Sequence, residues 1–150
     1  MIEAAMIWNE PNNKSHWDPA IDPDWSKFAD HVVRAGNAIH AVNPAVTRVL
    51  GGMSPIDPHW LRRIEDYGAL DAVDAVAVHG FPLDWNLWPI AAWPNKIAEI
   101  EAVTDKPVWV TPLLCLNPAM ASDPHEDQVQ GALDCGLGGT TALSQFIFSF

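Results

Sequence analysis

Basic residues are scarce in this chain. Eight Lys and Arg stand against 19 Asp and Glu, a formal charge of -11 over 150 residues. Such a surface repels phosphate backbones and anionic lipid, so no nucleic acid and no membrane is an expected partner. Long apolar runs are missing too, and none approaches the ~20 residues of a membrane-spanning helix. No basic segment followed by an apolar stretch and a small-residue cleavage site opens the chain, which predicts a cytoplasmic location. Cysteine is limited to Cys115 and Cys135, at no metal-type spacing. Two free thiols in a reducing compartment is a simpler reading than a disulfide. The "GLGG" of residues 136–139 is followed by no Lys-Ser/Thr and is not a phosphate loop, and no Gly-x-Ser-x-Gly elbow occurs. His16, His79 and His125, with Asp18 and Asp123, lack ligand spacing, so no metal and no cofactor is expected.

Tyrosine is nearly absent as well, with one copy against eight tryptophans. Indoles either fill cores or offer flat faces to ligands, and their position decides which. A hydrophobic share of 49% rules out a disordered chain and gives one domain, or part of one, enough material for a core.

Short apolar runs alternate with amphipathic stretches. Residues 4–8, 48–52, 74–81 and 107–111 read as buried strands, and 145–150 as a fifth. A helix is expected to open at Asp22, a capping residue with Pro23 at the first helical position, and to keep Trp25, Phe28, Val32 and Ile39 on one face. Asp57-Pro58 starts the next helix by the same logic, with Trp60, Leu61, Ile64 and Tyr67 inward and Gly68 as its stop. Residues 95–103 form the core of a third helix, and 126–134 a weaker fourth. Continuous apolar strands alternating with helices predict an α/β fold, a parallel sheet covered by helices. Chemistry in such folds sits on the loops after the C-terminal ends of the strands. Those ends carry Asn9-Glu10, Gly52-Met53-Ser54, His79-Gly80-Phe81 and Thr111-Pro112.

A carboxylate there, beside a side-chain amide, can donate and accept a proton, and Asn9 can bond a substrate hydroxyl. An ordinary turn accounts for the same residues, since Asn, Glu and Pro are loop formers.

"WNEPNN" resembles the Asn-Glu-Pro signature on the fourth strand of the retaining glycoside hydrolase clan with (β/α)8 barrels. "VLGGMSPIDPHWL", "AVAVHGFPLDWNLWP" and "DKPVWVT" resemble the fifth, sixth and seventh strand regions of β-xylosidase-like members, in the same order. The resemblance covers roughly residues 7–111. It implies a partial barrel of about strands 4 to 8, so that residues 1–150 are the C-terminal part of a glycoside hydrolase barrel domain, divergent over 112–150. It also implies Glu10 as acid/base, Asn9 as a contact to the sugar 2-hydroxyl and His79 as a substrate-binding residue. Trp17, Trp85 and Trp88 become candidate sugar platforms, because pyranose C–H faces stack on indoles. Trp25 and Trp60, on helix faces, are expected in the core.

Two departures qualify the resemblance. Relatives carry a nucleophilic Glu after the seventh-strand Thr, whereas Pro112 follows Thr111 here. A retaining mechanism needs its second carboxylate ~5–5.5 Å from the first, and an inverting one ~6.5–9.5 Å. Asp123, Glu126 and Asp127 are the substitutes at hand, each requiring a remodelled loop. Met1 also stands almost directly before the fourth strand, so a fragment is expected, with open sheet edges available for self-association. The expected function is therefore O-glycosyl hydrolysis by ancestry, impaired in this chain. The alternatives are a carbohydrate-binding or scaffold protein using the same cleft, and a doubly wound binding domain, for which "NEPNNK" lacks the glycines.

Overall fold

The computed structural model of the chain describes residues 2–79 and 92–111. In order, it contains β1 (Ala4–Ile7), α1 (Ser26–Val42), β2 (Thr47–Met53), α2 (Pro58–Glu65), a 3-10 turn (Ala69–Ala72), β3 (Ala75–Val78), α3 (Trp93–Glu101) and β4 (Val108–Val110). The strands make one four-stranded sheet in the order β1-β2-β3-β4, every pair parallel. Each strand lies beside its successor in the chain, and a helix precedes the next one, a repeated βαβ arrangement. The fold is the expected α/β one. The anticipated strand at 145–150 and helix at 126–134 lie outside the described residues.

Strand alternation sorts the side chains onto two faces. Ile7, Leu50, Met53, Val76, Val78 and Val108 point to the helices and join Phe28, Val32, Leu61, Ile64 and Ile100 in the main core. Val49, Ala75 and Ala77 form a smaller cluster on the opposite face, with Ala4, Met6 and Trp109 partly buried around it. At the N-terminal ends of β2 and β3, Arg48 grips Asp74 with two side-chain bonds, Nε to Oδ2 at 2.9 Å and a second guanidinium nitrogen to Oδ1 at 2.6 Å. That fork lowers the Asp74 carboxyl from 3.8 to about 2.

Several local expectations need correction. Helix α1 begins at Ser26 and not at Asp22, because Trp25 adopts a left-handed conformation with φ 66°. Asp22 still caps the helix from a distance. Its Oδ1 accepts from the Lys27 N–H at 3.1 Å and its Oδ2 from the Phe28 N–H at 2.9 Å. The Asp57 cap is as expected, accepting from the N–H groups of His59 and Trp60 with Pro58 opening α2. Tyr67 is exposed, since α2 ends at Glu65 and the chain turns at Gly68, φ 77°. Helix α3 spans Trp93–Glu101, two residues ahead of the expected window at each end. The 3-10 turn before β3 was not anticipated; "ALDA" is too short for a readable period. Trp25 and Trp60 are buried in the core beside Phe28, their rings edge-to-face at 5.7 Å.

Candidate functional site

The C-terminal ends of β1, β2 and β3 lie side by side, and the site is built from the loops after β1 and β2 together with His79, the residue just past β3. Beyond Ile7 the chain leaves extended geometry, with Trp8 at φ 69° and Glu10 at φ 44°. Two non-glycine residues in this region so close together mark a backbone held by its surroundings. One such hold is the Glu10 N–H, which donates to the Gly52 carbonyl at 3.0 Å. Pairing between β2 and β3 shifts register between Leu50 and Met53, so Gly51 and Gly52 occupy an irregularity. Small size is required at both positions. A Cβ at Gly51 would overlap the Trp8 carbonyl, and one at Gly52 would overlap Cδ2 and Nε2 of His79.

His79 follows β3, and strand period two places it on the face shared by Ala75 and Ala77, away from the helices. Its N–H donates to the Met53 carbonyl at 3.0 Å. The ring is 3% exposed, and its Nδ1 stands 2.9 Å from Glu10 Oε1. With Glu10 ionised, this bond requires the proton on Nδ1, because a carboxylate only accepts. The other carboxylate oxygen faces the loop. Asn13 Nδ2 donates to Oε2 at 3.3 Å, and His16 Nδ1 lies 3.6 Å from it. Glu10 itself keeps 18% of its side chain exposed, so one buried and one accessible imidazole flank a carboxylate that still reaches solvent. Among the described residues, no three His, Cys, Asp or Glu side chains are placed to hold a metal ion.

The structure thus brings Glu10 and His79 together. Asn9 sits between the two left-handed residues, half-buried, and its side chain makes no hydrogen bond among the described residues. Trp17 is half-buried on the helix side. Its indole N–H donates to Asp22 Oδ2 at 2.9 Å, and its ring meets Phe28 edge-on at 5.1 Å. That position makes it a pillar of the loop, with its ring engaged by the core. Trp85, Trp88, Pro112, Asp123, Glu126 and Asp127 lie outside the described residues. Asn12, Asn13 and His16 were not anticipated at the site; the asparagines read as turn formers, and nothing in their spacing signals a contact to Glu10. Trp8 was missed as well. Its ring is 41% exposed beside Trp17 and His31, with its Nε1 donating to the His16 carbonyl at 3.3 Å.

The chain matches no known family by sequence, and no curated protein matches it. Among solved structures, a monomeric β-xylosidase from Caulobacter crescentus CB15 superimposes on 93% of this chain with a TM-score of 0.66 and 21% identity. The fold is similar to that of a β-xylosidase. This chain spans 32% of that β-xylosidase's length, so the likeness concerns one part of a longer protein.

Proposed function

We propose that this chain is a β-xylosidase-like part of a glycoside hydrolase by ancestry. In this reading, carbohydrate binds at the rim formed by the C-terminal ends of β1, β2 and β3. The observation that carries it is the meeting of Glu10 and His79, side chains 69 positions apart, at 2.9 Å on the C-terminal rim of a parallel sheet. The likeness of fold and the ordered motifs supply the substrate class. Glu10 is the acid/base group, its Oε1 oriented by His79 and its Oε2 turned to the Asn13–His16 loop, and Asn9 offers an amide to a sugar hydroxyl. In a complete enzyme Glu10 protonates the leaving glycosidic oxygen and then activates water. Here Pro112 stands at the matching position of the nucleophile, and a proline cannot attack an anomeric carbon. Turnover is therefore negligible.

The same residue favours a second reading, carbohydrate binding without hydrolysis, since stacking and amide contacts survive the loss of a nucleophile. Calorimetry with xylo-oligosaccharides, beside an aryl β-xyloside assay, separates the two. Binding without release of the aryl group supports the binding reading. Restored release in Pro112→Glu supports the hydrolase ancestry with only the nucleophile lost. Absence of binding in the wild type, together with a Glu10→Gln variant indistinguishable from it, rejects both.

A further inference from the structure

We propose that Asn12 is a positioning residue, which clamps the loop after β1 onto the loop after β2 and so sets the contact between Glu10 and His79. Its side chain satisfies two backbone groups at once. Oδ1 accepts from the Ser54 N–H at 2.9 Å, and Nδ2 donates to the Pro55 carbonyl at 2.7 Å. A primary amide of this length is the side chain that can do both; Asp has no donor, Ala has neither group, and Gln places its amide a methylene further out.

Three observations tie this clamp to the site. Glu10 is two residues away, and the intervening Pro11 is buried and fixes its own φ, so displacement of Asn12 passes to Glu10 with little slack. The left-handed backbone at Trp8 and Glu10 gives the loop no regular ladder of its own. Among the described residues it is tied to β2 by the Glu10 N–H bond to Gly52 and to the loop after β2 by the two bonds of Asn12. On the receiving side Ser54 is buried and Pro55 exposed, and the Asp57 N–H rests on Met53 Sδ at 3.0 Å just before α2. His79 is anchored to the end of β2, next to Ser54, through the Met53 carbonyl. Asn12 thus ties the loop that carries Glu10 to the residues next to Met53, the group that holds the His79 backbone.

The test uses the full chain with Asn12→Ala and Asn12→Asp. Histidine-selective NMR reads the Nδ1–H resonance of His79, which reports its bond to Glu10, alongside the thermal midpoint and xylo-oligosaccharide calorimetry. In Asn12→Ala the His79 resonance is expected to broaden or vanish while the fold persists. Asn12→Asp, which keeps the acceptor for Ser54, should retain it in part. The affinity measurement rests on the proposed function, and a loss of about tenfold is expected from one misplaced polar contact. A folded Asn12→Ala protein with the His79 resonance unchanged overturns the proposal. Should that variant not fold, an Asn12→Asp protein with wild-type resonance overturns it equally. Failure of the wild type to bind sugar removes the carbohydrate reading alone, because the resonance still decides the role of Asn12.

Discussion

Replacement of Gly52 by Ala is the most searching perturbation of this site. The added methyl would occupy the space now filled by Cδ2 and Nε2 of His79, a ring that is 3% exposed and held by Glu10 on one side and by its own backbone, just past β3, on the other. Either the ring leaves or β2 and β3 separate. Overpacking of this kind costs about 1–3 kcal/mol. Breaking the bond to Glu10 while the imidazole remains buried adds about 1–2 kcal/mol. The sum, about 2–5 kcal/mol, corresponds to a fall of about 10 °C in thermal midpoint for a chain of this size. Gly36→Ala is the matched control. Its Cβ would overlap the Ala72 carbonyl, a comparable steric insult between α1 and the 3-10 turn, remote from the strand ends. Differential scanning calorimetry should find both variants destabilised, whereas the His79 Nδ1–H resonance should be lost in Gly52→Ala alone. A Gly52→Ala protein with wild-type midpoint and an intact resonance would refute the claim that this glycine exists to admit the imidazole.

Other variants probe the frame. Asp22→Ala strands the N–H groups of Lys27 and Phe28 and the indole of Trp17, all now bonded to one buried carboxylate; a loss of about 3–5 kcal/mol is expected in urea unfolding, with Asp22→Asn intermediate. Asp57→Ala removes the cap of α2 and should cost about 1 kcal/mol in the same assay. The Asp74 carboxyl is lower in the folded chain, about 2 against 3.8, so its pairing with Arg48 stabilises above about pH 4 and is lost as the pH falls toward 2. Arg48→Ala should flatten the stability profile across that window. At neutral pH it should cost under about 1 kcal/mol through the ion pair, because Asp74 is 42% exposed and water screens it.

Local signals in the sequence determined much of this protein. The apolar runs at residues 4–8 and 48–52 gave β1, which stops one residue early at Ile7, and β2, because short runs without a helical period suit buried strands, and Asp57-Pro58 opened α2 because cap and φ restraint act within three residues. Polar residues at the strand ends, Glu10 and His79 among them, were legible as candidates, and the structure brings these two together. Interactions at long separation were decided by the tertiary structure. Asp22 reads as an ordinary cap, yet Trp25 turns left-handed and the carboxylate serves N–H groups five and six residues on, with the indole of Trp17 as a third donor. The exposure of Tyr67 follows from where α2 stops. The pairing of Glu10 Oε1 with His79 and of Oε2 with Asn13 and His16 depends on strand register and on the irregularity at Gly51 and Gly52. A residue's type and neighbours specify what it can bond and how its own backbone bends. Which distant group it meets is set by how helices and strands pack, and that is a property of the whole sheet.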